Sequence, residues 1–169
     1  MKSLLQWSSR LIVLAAFVTA VPSLAQEAVV TYKSLAPDAA FELARVALQT
    51  CRTSGYQVAV VVLDRFGEPL VMLRDRFIGL PAPTIAANKA YTSLSFRLSS
   101  GEFAKAIQAG QLSAGLANTS RVVTLAGGLL IEAGGSVLGA VGVAGAPGGD
   151  KDEDCARAGL ESIRDRLEF

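Results

Sequence analysis

The 169-residue sequence contains no histidine, and its only two cysteines are Cys51 and Cys155. Without histidine the chain cannot build a Ser-His-Asp triad or a zinc site of the usual imidazole type. The two cysteines are too far apart in the sequence to form a CxxC redox motif. We therefore predict no metal centre, and any chemistry must rest on carboxylates, amines, hydroxyls or a bound cofactor.

Neither sign of charge is in excess, since 16 lysines and arginines face 15 acidic residues. Nucleic-acid-binding domains concentrate basic residues on one face or along one helix. No such cluster occurs here, which excludes nucleic acid as an expected partner.

Long apolar runs are also scarce, and the one that occurs lies near the N-terminus at residues 11–21. Its length suits the core of a secretory signal and is short for a membrane span. Small residues, Ser23 and Ala25, stand at the positions typical of a cleavage site. We predict a signal peptide over residues 1–25 and a periplasmic or secreted mature protein, residues 26–169, of one domain without a membrane span. An uncleaved N-terminal anchor is the alternative.

The remainder of the chain alternates helical and strand patterns without a repeated βαβ unit. Within residues 57–63, apolar side chains occupy both the odd-numbered and the even-numbered positions. This pattern predicts a central strand that is covered on both faces. The order predicts an α+β fold with an antiparallel sheet of four to five strands and helices packed on it. The predicted helices are 37–54, 84–98 and 150–167, with further turns over 103–109, and the predicted strands are 57–63, 69–74, 122–131 and 136–144.

Glycines are concentrated in the C-terminal third. Gly127-Gly128 falls inside a predicted strand, where paired glycines indicate a bulge or a close backbone approach. A glycine loop over 145–149 precedes a helix and is compatible with a phosphate cradle. The acids at 150, 152, 153 and 154 would repel an anion there, so we interpret the loop as a structural turn.

Three stretches resemble the GlcG/HbpS-like family of haem-binding and related proteins, also called the domain-of-unknown-function 336 group. They are VAVVVLDRFGEPLVMLRDR at 58–76, AANKAYTSLSF at 86–96, and the segment of 125–160 that contains GGLLI, GAVGVAGAPGG and CARAGL. The resemblance implies a profilin-like fold and assembly into homo-oligomers. It also implies haem or a related tetrapyrrole as the cofactor, and thus a small planar or carboxylated ligand.

The sequence departs from this family at one loop. Related sequences often read GPHTP after the second strand, whereas residues 79–83 read GLPAP, with Pro81 at the histidine position. An imidazole ligand to haem iron is therefore impossible. The other candidate ligands are Met72, the phenolate of Tyr91, the hydroxyl of Thr92, or a cysteine.

Two basic residues are candidates for pairing with a ligand carboxylate or propionate. Arg74 and Lys89 occupy family-like positions at the end of the first hairpin and in the second helix, and both cations bind carboxylates well. Lys89 lies among small residues in mid-helix, which makes it the stronger candidate. The alternative is that both form ordinary salt bridges.

Cys51 and Cys155 fall in two predicted helices. If those helices pack antiparallel in an oxidising compartment, the two residues can form a disulfide. It would close a loop of about 100 residues and stabilise the fold by about 4–5 kcal/mol in the chain-entropy model. The alternative is a pair of buried thiols.

Three functions follow as hypotheses. The first is an exported binding protein for haem or a related tetrapyrrole, with a non-histidine axial ligand or none. The second, motivated by the glycolate and diol associations of relatives, is an accessory enzyme or metabolite-binding subunit of a periplasmic alcohol or hydroxy-acid oxidation pathway. Lys89 would be its acid–base group if burial lowered its pKa. The third is a structural oligomer without a small ligand.

Overall fold

A computed structural model describes residues 28–167, so the predicted signal peptide lies outside the described residues. The chain divides into two units, residues 1–31 and residues 32–169. The described part of the first unit, residues 28–31, contains no helix or strand. Everything below concerns the second unit.

The described part of this unit, residues 32–167, contains four α-helices and four strands. They are α1 (Pro37–Thr53), β1 (Ala59–Asp64), β2 (Pro69–Arg74), α2 (Ala82–Phe96), α3 (Ser100–Gln108), β3 (Gly128–Ala133), β4 (Ser136–Ala144) and α4 (Gly149–Glu161), with short 3₁₀ turns at Ala114–Asn118 and Arg164–Arg166. None of the helices within residues 28–167 has the length and apolarity needed to cross a membrane.

The strands form one antiparallel sheet in the order β2-β1-β4-β3, which confirms the predicted α+β class. Strand β1 lies inside the sheet, and its first five residues are buried, as its two-sided apolar pattern predicted. Alternate residues face opposite sides of a strand. Val58, Val60 and Val62 therefore join the core under α1 and α4, while Ala59, Val61 and Leu63 join the core under α2.

Helix α2 lies unusually close to the sheet because two glycines face it. A Cβ atom at Gly142 of β4 would overlap the carbonyl oxygen of Ala86, and one at Gly128 of β3 would overlap the carbonyl oxygen of Lys89. Only glycine permits this approach of backbone to backbone. The backbone of Lys89 therefore lies directly against β3.

Most predicted boundaries lie within three residues of those in the structure, and two are wrong by six residues. Strand β3 begins at Gly128 rather than at residue 122, because Arg121 and Gly127 take left-handed backbone angles (φ 67° and 120°) that a regular strand does not allow. Helix α4 ends at Glu161 rather than at 167, and the chain continues in a 3₁₀ turn.

A disulfide joins α1 to α4. Cys51 and Cys155 are both buried, their Cα atoms are 5.6 Å apart, and the bond spans a sequence separation of 104. The predicted pairing is thus present, and the alternative of two free thiols is not.

Candidate functional site

A cleft of about 1140 Å³ lies between the first turns of α2 and α4, helix α3 and the loop before β3. Ile85, Leu125 and Leu130 supply apolar walls, and the turn over 145–149 forms one side. Ligand pockets commonly combine such apolar walls with a few polar groups that fix orientation.

Lys89 and Asp152 form a buried ion pair that lines this cleft. Lys89 Nζ donates to Asp152 Oδ2 at 2.6 Å and to the carbonyl oxygen of Val143 at 2.9 Å. Each side chain is 4% exposed. Asp152 Oδ1 accepts a further hydrogen bond from the N–H of Ala146 at 2.9 Å. The pair therefore ties α2, the end of β4 and the start of α4 together.

The pKa of Asp152 is raised because burial penalises the charged carboxylate. The hydrogen bond and the charge of Lys89, together with the N–H of Ala146, act in the opposite direction. The three hydrogen bonds of the pair are all formed within the protein, so its geometry indicates a rigid, structural element of the cleft.

The rim of the cleft contains one unpaired cation. Lys105 on α3 is exposed and forms no ion pair with any carboxylate within residues 28–167. Arg157 also lines the cleft but pairs with Glu153 at 2.9 Å. Glu102 caps α3 by accepting from the N–H of Ser99 at 2.9 Å, and this bond lowers the pKa of Glu102. Lys105 is therefore the rim cation that a ligand anion can approach without displacing a protein partner.

Among the predicted ligand-binding residues, only Lys89 lines the large cleft. Thr92 is fully buried, and its hydroxyl donates to the carbonyl oxygen of Asn88 at 2.8 Å and accepts from the N–H of Val123 at 2.9 Å. Tyr91 packs its ring under the guanidinium of Arg121, which lies 4.1 Å from the ring centroid. Both side chains are thus used within the fold.

Met72 and Arg74 lie on the edge strand β2, away from Lys89. Met72 is 55% exposed. Arg74 lines a second cleft that shares no residue with the first. The predicted joint role of Arg74 and Lys89 at one pocket rim is not what the structure shows, because β1 separates β2 from β4, where Lys89 is anchored.

Sequence reasoning missed two residues of the cleft, Asp152 and Lys105. In the sequence, Asp152 is one of four acids at a helix start, where the helix dipole favours any of them. A buried lysine needs a carboxylate partner, so Lys89 in mid-helix was a signal that one such acid had to be close. No pattern in the sequence distinguishes Lys105 from other exposed lysines.

Comparison with known proteins identifies the family. A family model described as haem degrading protein HbpS-like matches residues 35–161, about three quarters of the chain. The chain belongs to the HbpS-like family. Membership confirms the resemblance inferred from the three sequence stretches.

Solved structures of this family share the fold. A double mutant of HbpS from Streptomyces reticuli is 34% identical, with a TM-score of 0.76 over 85% of this chain and 97% of that one. The Klebsiella pneumoniae protein ORFY is 26% identical, with a TM-score of 0.77 over 82% of this chain and 96% of that one. PduOC, solved as a haem complex, is 25% identical, with a TM-score of 0.72 over 77% and 95% of the two chains.

The chain is also similar to an uncharacterised 15.0 kDa protein of Citrobacter freundii, from the dhaT-dhaS intergenic region. It is 38% identical over 90 residues, which are 52% of this chain and 63% of the relative. The chain thus matches somewhat less than two thirds of that protein's length.

Proposed function

We propose that this protein is an exported binding protein for haem or a related tetrapyrrole, and that the large cleft holds the ligand. The observation that carries the proposal is the cleft's combination of apolar walls with one unpaired rim cation, Lys105. A flat macrocycle with carboxylate side chains matches that combination. Pro81, which stands where the family's histidine would fall, lines the same cleft.

Iron fits this cleft less well than the macrocycle does. Among the described residues that line it, none is cysteine, methionine or tyrosine, and the sequence has no histidine. Those four side chains are the usual axial ligands of haem iron. Thr124 and the rim carboxylates offer only oxygen donors. We therefore propose that the protein holds the ligand by its plane and its carboxylates, without a strong axial bond to the metal.

Different cleft residues would make different contributions to ligand binding. Ile85 and Leu130 would exclude water from one part of the macrocycle, and half-exposed Leu125 would gain burial when a ligand covers it. Lys105 would pair with a ligand carboxylate. Asp150 and Asp154, which also line the cleft, would repel that carboxylate and so favour one orientation of the ligand.

The test is a titration of the purified protein with haemin and, separately, with metal-free protoporphyrin IX. Because the cleft provides no strong axial ligand, we expect dissociation constants that agree within about threefold. Lys105→Gln should weaken both ligands by about tenfold through loss of a charged hydrogen bond. Arg45→Gln is the matched control, since Arg45 pairs with Glu42 on α1 and lies outside the cleft. It should leave both constants unchanged.

Tetrapyrrole binding and the absence of a strong axial bond to iron can each be contradicted by a different result. No saturable binding of either compound would contradict tetrapyrrole binding altogether. Tight binding of haemin without binding of the porphyrin would show that iron coordination, rather than the macrocycle, carries the affinity. Equal weakening by Lys105→Gln and Arg45→Gln would show that net charge, rather than the cleft, matters.

The location, the oligomeric state and the alternative function stay predictions. Export rests on the signal pattern of residues 1–25, and an oxidising compartment would suit the disulfide. An accessory enzyme would require a free amine at Lys89. No contact of Lys89 favours that alternative, because its ammonium donates to Asp152 and Val143 in a buried setting.

A further inference from the structure

A second cleft of about 720 Å³ lies at the end of the sheet where β2 finishes and β1 starts. It shares no lining residue with the large cleft in which we propose that the tetrapyrrole binds. Three arginines, one glutamine and one aspartate line it: Arg52, Gln57, Arg74, Asp75 and Arg76. The cleft therefore carries three positive charges and one negative charge.

Both oxygens of the single carboxylate in this cleft accept hydrogen bonds from the protein. Asp75 is 3% exposed. Its Oδ2 accepts from the N–H of Val58 at 3.0 Å, and its Oδ1 accepts from Arg52 Nε at 2.6 Å. This buried group fixes the guanidinium of Arg52 at the cleft. The hydrogen bond that holds Arg52 uses its Nε.

Gln57 adds a neutral donor. Its Oε1 accepts from the N–H of Phe77 at 3.3 Å. A backbone N–H can only donate, so the amide oxygen must face it. The amide NH₂ group of Gln57 is left as a donor beside the arginines.

Arg74 and Arg76 complete the set. Both are exposed, and neither forms an ion pair with any carboxylate of residues 28–167. Arg76 lies with its guanidinium carbon 5.5 Å from the ring centroid of Phe77. The guanidinium groups of Arg74 and Arg76 and the amide NH₂ of Gln57 thus give the cleft hydrogen-bond donors, most of them charged.

We propose that this cleft is a binding site for a small, doubly charged oxyanion, with a phosphate group as the best match. The guanidinium fork pairs with phosphate oxygens through two parallel hydrogen bonds. Two negative charges on the ligand would balance the excess of two positive charges in the cleft. Exposed arginines on an edge strand can also serve to prevent sheet-to-sheet pairing. That role would not require a buried aspartate to fix Arg52.

The test uses ¹⁵N-labelled protein at constant ionic strength, titrated with inorganic phosphate, with succinate and with chloride alone. We expect saturable shifts with phosphate at the amides of Val58, Asp75 and Arg76 and at the arginine Nε–H groups. Arg74→Gln/Arg76→Gln should weaken this binding by about tenfold or more. The matched control, Arg45→Gln/Arg164→Gln, removes two exposed arginines that pair with glutamates elsewhere. It should change the affinity by less than about twofold.

Each outcome decides the proposal. The proposal is supported if Arg74→Gln/Arg76→Gln loses phosphate binding and the control variant keeps it. In the spectrum of the cleft variant, amides outside the cleft must keep their wild-type shifts, which shows that the fold is intact. The site is overturned if shifts do not saturate, if chloride alone reproduces them, or if both double variants lose binding equally. Tighter binding of succinate would overturn the assignment to phosphate. None of these readouts depends on tetrapyrrole binding.

Discussion

At the scale of single residues, Lys89 shows how much a side chain's role depends on its partner. The sequence marks it as unusual, because a lysine in mid-helix among small residues has to be either exposed or paired. The structure supplies Asp152, 63 positions further along, at 2.6 Å. An amine held this way stabilises the cleft, and it is poorly placed to exchange protons with a substrate. Thr92 illustrates the same point, since its hydroxyl is used by Asn88 and Val123.

The first prediction at this scale concerns the buried pair. Lys89→Met leaves the carboxylate of Asp152 buried without its cation, and we expect a loss of about 3–5 kcal/mol in the free energy of unfolding. Lys89→Met/Asp152→Asn removes both charges and keeps an acceptor for the N–H of Ala146. It should be more stable than the single variant. Urea denaturation measures both, and a double variant less stable than Lys89→Met would contradict an unpaired charge as the cause.

At the scale of elements, close packing of α2 on the sheet determines the cleft. Small residues along α2 and glycines in β3 and β4 allow backbone contact, which the sequence indicated through its glycine pairs. The start of β3 was mispredicted because Arg121 and Gly127 take left-handed backbone angles. Phe41 on α1 is 50% exposed, while Ala40 and Leu43 face the core.

Gly142→Ala tests this packing directly. The added Cβ would overlap the carbonyl oxygen of Ala86 on α2, so the helix must move away. We expect a loss of at least about 2 kcal/mol in the free energy of unfolding, together with weaker ligand binding in the cleft. Gly115→Ala is the control, because its Cβ would meet only Ser113 Oγ at 3.5 Å. Similar denaturation midpoints for the two variants would rule out helix-to-sheet contact as the critical feature.

At the scale of the whole molecule, α1 and α4 cover one face of the sheet and the disulfide joins them. Gly159 of α4 lies against the backbone of Leu43 on α1, so these helices also approach closely. The bond between Cys51 and Cys155 closes most of the domain into one loop. A constraint of this span acts mainly on the unfolded chain.

Reduction of the protein tests that constraint. We expect the free energy of unfolding to fall by up to about 4–5 kcal/mol when dithiothreitol breaks the bond. Cys51→Ala/Cys155→Ala should be less stable than the oxidised protein and indifferent to the reductant. Thermal denaturation with and without dithiothreitol measures both effects. A midpoint that does not change on reduction of the wild type, with thiol titration showing complete reduction, would contradict the prediction.

The sequence by itself determined the fold class, the central position of β1, the pairing of Cys51 with Cys155 as one of two options, and the absence of an imidazole ligand. These follow from local apolar periodicity, turn residues and composition, which do not depend on distant partners. Only the tertiary structure decided which polar groups meet. It brought Asp152 to Lys89, separated Arg74 from both, and gathered Arg74 with Arg52 around Asp75. These long-range contacts depend on the strand order and on how closely α2 can approach the sheet. Neither property is determined by any single segment of the sequence.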